Sequence, residues 1–323
     1  MLTRITRTVL RPLSLAQIRH VASVPFGTRR PAVARVYREL EGQFGVLAPP
    51  VALHAPSPEL LAGAWIMLRE ALLVPGTVDR PEKEAVAAMI SAGNTCPYCV
   101  TMHSPAPATT GGATPVSARP APVPVHGAER IAVAVLLHYL NRMVNVFLTD
   151  APLPPMAPVR ALRVVSPVLD RLQRAAARDV APAGASLALL PPAPVPTDLA
   201  WAATDPILAQ AFSRAAAAAD RAGESVLPTS VRALVLDRLH TWDGSPAPLS
   251  GAWAHTAVMD LTPSQRPAGR LALLTAFASY QVDDTVIDAF RAHQPEDAAL
   301  IGATAWASMA AARQAGVRIH SGP

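Results

Sequence analysis

Residues 79–103 read DRPEKEAVAAMISAGNTCPYCVTMH, and this stretch decides the fold class. Asp79 before Arg80-Pro81-Glu82 is a helix start, because proline suits the first turn, where its missing N–H breaks no bond. The pattern then runs to Gly93, turns at Asn94-Thr95, and restarts at Cys96-Pro97-Tyr98-Cys99. With Pro97 at the first helical position, Cys96 falls at the N-cap and Cys99 three residues in. Two helices joined by a short turn therefore carry Glu84, Cys96, Cys99 and His103, an E-x11-C-x-x-C-x-x-x-H string. These are the only two cysteines in the 323 residues.

Helical spacing dominates outward from there, and no period-two series marks a strand, so an all-α fold is expected. Pro31–Phe44, Leu60–Leu73 after the Ser57 cap, Ala128–Leu148 and Val159–Asp179 read as helices. So do Asp198–Ala222, Pro228–Trp242, Pro263–Tyr280, Thr285–His293 and Glu296–Gly316, the last closed by a C-cap glycine. Residues 104–128, rich in Pro, Ala, Gly and Thr, read as a mobile loop. The expected organisation is a basic N-terminal arm at 1–30, a thiol-bearing lobe at 31–181, a Pro-rich linker at 182–197 and a second lobe at 198–323. A shift of 185 residues lays Cys96 on Gln281, Cys99 on Asp284 and Glu84 on Gly269, so the second lobe reads as a degenerate repeat without the motif. One active site per chain follows.

Half of the residues are hydrophobic, 51%, enough for a large core without disulfide staples. The net charge of +5 comes from scattered arginines, Lys83 being the single lysine, and without interleaved aromatics this is no nucleic-acid footprint. No apolar run reaches the length of a membrane span. Arg4, Arg7, Arg11 and Arg19 with no acidic residue imitate a transit peptide, but Pro12 interrupts the segment and a flexible or docked arm is the preferred reading. A close thiol pair without a secretory segment favours a reducing cytoplasm.

Across a first helical turn the two cysteine Cα atoms sit about 5 to 6 Å apart, within disulfide range. The helix N-terminus favours a thiolate there, with a pKa expected near 7 or below. His103, at i+4 from Cys99, shares its face and can accept the thiol proton, and Glu84 on the preceding helix can fold back to orient the imidazole. Cys96, Cys99 and His103 could instead be three zinc ligands, with a fourth from His126 or Glu84, but zinc sites usually pair two ligand couples, and redox chemistry accounts for the Glu spacing without coincidence. Neither metal nor organic cofactor is expected. His126 reads as solvated, His138 as a satisfied core residue, Trp65, Trp253 and Trp306 as core, and Asp283-Asp284 as a solvated helix start.

On Glu84, Cys96, Cys99 and His103, the string Asn94–Cys99 and the preceding helix, residues 55–105 resemble the AhpD-like members of the carboxymuconolactone decarboxylase superfamily. The resemblance implies an all-helical, oligomeric, thiol-dependent antioxidant enzyme that reduces an organic hydroperoxide or a disulfide. Cys99 would be the peroxidatic thiol, Cys96 the resolving one, and His103 with Glu84 the proton relay. A lipoyl or thioredoxin-like dithiol protein would return the electrons. Where founding peroxidases carry a histidine before the second cysteine, this chain has Tyr98. Two other functions fit the same residues: a decarboxylase-like lyase or isomerase that needs no thiols, and a non-enzymatic redox-sensing interaction module.

Overall fold

The computed structural model describes residues 2–104, 123–152 and 162–322, and among these every regular element is a helix. The expected loop therefore lies mostly outside the described residues, at 105–122, as does the beginning of the expected 159–179 helix.

Proline and acidic caps set the helix starts. Helix α1 (Leu2–Leu15) is followed by α2 (Pro31–Phe44), the four-residue α3 (Pro49–Ala52) and α4 (Pro58–Leu68), three of which open on proline at the first or second position. Val33, Val36, Tyr37 and Leu40 form the buried face of α2. Helix α4 is buried almost throughout and continues into one π turn, Arg69–Leu73. Asp79 caps α5 (Arg80–Gly93) by accepting from the Glu82 N–H, and Pro97 opens α6 (Pro97–His103). Helices α7 (Ala128–Phe147) and α8 (Leu162–Ala176) follow.

Helix α1 runs through Pro12, where the sequence suggested an interruption. Docking compensates for the lost N–H: the Arg11 guanidinium bonds both Glu41 oxygens, at 2.8 and 2.6 Å, and lies 3.5 Å from the centre of the Phe26 ring. The expected 198–222 helix is also different. A 3-10 segment, Thr197–Ala202, precedes α9 (Pro206–Val226), because the Asp205 carboxylate accepts from the Ile207 and Leu208 N–H groups and Pro206 cannot sit in a helix interior.

The Pro-rich 182–196 segment is strapped to the helices before it. The fully buried Arg69 guanidinium donates to Pro182 O at 2.8 Å, to Ala181 O and to Glu70, while Gly184 N donates to Glu70 and Ser186 Oγ to Glu39. These bonds neutralise a buried cation and satisfy backbone that a proline-rich chain leaves without helical partners.

Helices α10 (Thr229–Thr241), α11 (Ala252–Ala257), α12 (Arg266–Ala278), α13 (Asp284–Arg291) and α14 (Asp297–Ser321) complete the chain. Asp283 accepts from Val286 N, so the Asp283-Asp284 pair is a capped helix start. Gly316 is not the C-cap expected of it: α14 continues to Ser321. A Cβ at Gly316 would stand 2.7 Å from Val135 Cγ2, so the glycine is there to let α14 approach α7, not to stop the helix. These two helices form the centre of the core, with α9 and α4 outside them. Helix α5 packs on α6 and α7, and α12 packs on α13 and α14. Across the core, buried His54 donates from Nδ1 to Val51 O and accepts the Tyr139 hydroxyl at 2.8 Å on Nε2; burial lowers its pKa to about 4 and keeps it neutral.

Candidate active site

The turn between α5 and α6 is where local geometry sets up the chemistry. Thr95 has φ of 52°, in the left-handed region, which costs a β-branched residue about 1–2 kcal/mol. Cys96 N–H donates to Ser91 O at 3.0 Å and the Asn145 amide donates to Asn94 O, so the neighbouring helices hold the turn in that shape. Cys96 then sits at the N-cap of α6, with Cys99 on the first turn and His103 at its end.

Glu84 folds back from α5 onto His103. Its Oε2 lies 2.6 Å from His103 Nδ1, and its Oε1 accepts from Arg80 Nε at 2.5 Å. Burial alone would raise the Glu84 pKa, but the bond and charge of His103 together with Arg80 outweigh it and hold the carboxyl down to about 2. An ionised carboxylate only accepts, so His103 Nδ1 carries the proton and Nε2 is the nitrogen free to exchange one.

The thiols depart from expectation. Both are free and buried, Cys96 1% and Cys99 4% exposed, and the Cys99 pKa is raised well above its ordinary value, not depressed. Burial is the main cause, followed by the hydrogen bond and charge of Cys96. A seven-residue helix supplies too weak a dipole to offset removal of the sulfur from water. One group opposes the rise: the Asn141 amide, hydrogen-bonded to Cys99. Asn141 is fully buried on α7, donates to Ser91 Oγ at 3.1 Å and accepts from Asn94 Nδ2 at 2.9 Å. His138 extends this network through Asn94 Oδ1 at 3.1 Å, and burial and Arg142 lower its pKa to about 3.

A cavity of about 130 Å³ adjoins this cluster, with Cys99, His103, Glu84 and Arg80 on its polar side and mostly aliphatic side chains elsewhere. Cys96 does not line it. Such a volume is on the order of that which admits a benzene-sized molecule. Tyr98, also in the lining, donates its hydroxyl to Gln17 Oε1 at 3.1 Å. Its partner is thus the N-terminal segment and not a proton relay.

His126 is exposed, Trp65 and Trp306 are buried, and Trp253 is half-buried. Among the described residues no group of three His, Cys, Asp or Glu side chains is placed to hold a metal ion, and no helix is long and apolar enough to cross a membrane. Sequence reasoning missed Arg80, Asn141 and the α1 residues of the cavity. Arg80 was findable, four residues before Glu84 on the same helix. Asn141 stands out as a polar residue in the apolar run 131–147. For α1 no local signal exists.

A raised pKa makes thiolate scarce at neutral pH. Alkylation of Cys99 by iodoacetamide in the reduced protein should therefore climb about tenfold per pH unit from pH 6 to 8. Asn141→Leu should slow it further at each pH; a rate that levels off below pH 8 would contradict the buried-thiol electrostatics.

Comparison with known proteins gives one curated relative, the alkyl hydroperoxide reductase Rv2159c of Mycobacterium tuberculosis, 35% identical across 94% of this chain and 95% of that protein. No family model matches the chain, and no solved structure matches it.

Proposed function

Because the chain belongs to the AhpD-like alkylhydroperoxidase family, we propose that it reduces organic hydroperoxides through a Cys99–Cys96 thiol couple. The observation that carries this reading is positional. Cys99, and not Cys96, lines the cavity described above, and the same cavity holds an imidazole already oriented by an ionised carboxylate.

In the proposed reaction His103 Nε2 takes the Cys99 proton as the hydroperoxide enters, creating thiolate only when it is needed. The sulfur attacks the terminal peroxide oxygen, the O–O bond breaks, and the alkoxide leaves with the proton from His103 as an alcohol. Cys99 is left as a sulfenic acid. The Cys96 thiol, already hydrogen-bonded to Cys99, attacks that sulfur, releasing water and closing a disulfide. A lipoyl or thioredoxin-like dithiol reduces the disulfide and is itself oxidised. Arg80 and Glu84 hold His103 in place. We read residues 31–181 as the lobe that does this and 198–323 as a related lobe without thiols, with Gln281 and Asp284 in the positions of the cysteines.

Mixing reduced protein with less than one equivalent of tert-butyl hydroperoxide tests the scheme. Two thiols should be lost and one molecule of alcohol formed per hydroperoxide consumed. Thiol loss without alcohol, or alcohol formed with both thiols intact, would remove the reading.

A further inference from the structure

We propose that α1 is the specificity-determining wall of the cavity, with Leu10 and Leu13 selecting hydroperoxides that carry an alkyl chain over hydrogen peroxide. The inference rests on the reading of Cys99 as the peroxide-reducing thiol. Leu10, Leu13 and Gln17 enter the lining together with Leu136 and Leu140 of α7, so a segment some eighty residues away in sequence helps enclose the space beside Cys99.

Polar latches hold this wall at its edges and leave its aliphatic side chains to the cavity. Arg11 grips Glu41, Arg7 Nε donates to Gly45 O at 2.9 Å, and Gln17 accepts from Tyr98, the residue next to Cys99. Position 98 thus couples the wall to the thiol helix.

Leu13 has a second face. It lines the cavity and is also 43% exposed, and it continues a stripe of exposed aliphatic side chains at four-residue intervals, Val9 at 58% and Ile5 at 56%. A cavity of about 130 Å³ holds the peroxide head and only the first carbons of a chain. From Leu13, the exposed Val9 and Ile5 side chains offer the rest an apolar path along α1. The occupant this path fits is the alkyl tail of the substrate. A fully buried methylene is worth about a three- to fourfold gain in affinity, one laid on a half-exposed stripe part of that, and hydrogen peroxide collects none of it.

The test compares kcat/KM for n-octyl hydroperoxide, tert-butyl hydroperoxide and hydrogen peroxide in the full chain, using dithiothreitol as reductant. The unsubstituted protein should prefer the octyl compound. Leu13→Ser, at a partly exposed site, should lower the octyl-to-hydrogen-peroxide ratio at least about tenfold, through KM more than kcat; Leu10→Ala gives an independent variant. An unchanged ratio in both variants would overturn the wall. Failure of every oxidant to oxidise Cys99 would instead remove the peroxidase reading. The wall would then be judged by alkylation of Cys99 with N-octylmaleimide against N-methylmaleimide: lost octyl preference in Leu13→Ser supports it, and retained preference rejects it.

Discussion

Cys99→Ser should lower hydroperoxide turnover by at least about a thousandfold, because a serine hydroxyl at neutral pH offers neither thiolate nor a sulfur that accepts oxygen. Cys96→Ser should behave differently. With Cys99 intact the first half-reaction proceeds, one alcohol is released, and the sulfenic acid has no neighbouring thiol to condense with. It should be trapped by dimedone and detected by mass spectrometry as one adduct on Cys99. The asymmetry follows from the cavity, which reaches Cys99 and not Cys96. If Cys99→Ser kept full activity, or if the adduct formed on Cys96, the assignment of roles would fail. The first result would also revive a thiol-independent lyase on the same scaffold. A pure redox sensor would give the adduct and no turnover with any dithiol.

Glu84→Gln should reduce kcat by about a hundredfold with a smaller effect on KM, in the range that positioned proton transfer supplies. The carboxylate fixes the His103 tautomer by accepting from Nδ1; an amide presents either its oxygen or its nitrogen there, and its neutral group no longer stabilises the imidazolium formed when the thiol proton moves. His103 and Arg80 hold the Glu84 carboxyl down to about 2, so the unsubstituted protein should show no acid limb from this group above about pH 3. Glu84→Asp keeps the charge and should restore part of the rate. Equal kcat values for the Gln and Asp variants would show that the carboxylate is merely structural. Arg80 shares this carboxylate, so its loss should resemble Glu84→Gln in direction and be milder, the His103 bond remaining.

Much of the site was legible because its parts are local. Pro97 and the C-x-x-C spacing dictate where α6 begins, and Asp79 and Pro81 dictate where α5 begins. Helical periodicity then fixes which residues share a face. Reach was not legible: that Glu84 meets His103 depends on the Asn94-Thr95 turn, whose left-handed Thr95 no propensity favours and whose shape the Asn145 and Ser91 contacts impose. Gly316 failed in the opposite sense. A glycine at the end of an apolar run reads as a stop, yet here the missing side chain serves a helix crossing 181 residues away in sequence, at Val135.

The amino-acid sequence by itself determined the helical fold class, the residue types of the site and their order along two helices, since each is a matter of neighbours within a few turns. Tertiary structure alone decided the electrostatics and the shape. Packing α7 over α6 buried Cys99 and raised its pKa where a helix N-terminus had promised the reverse, and it also placed Asn141 against the sulfur. Docking α1 onto Glu41, and Gln17 just beyond it onto Tyr98, gave the thiol a cavity. Desolvation and enclosure depend on what surrounds a group in space, and the residues that surround Cys99 lie dozens of positions away in the chain.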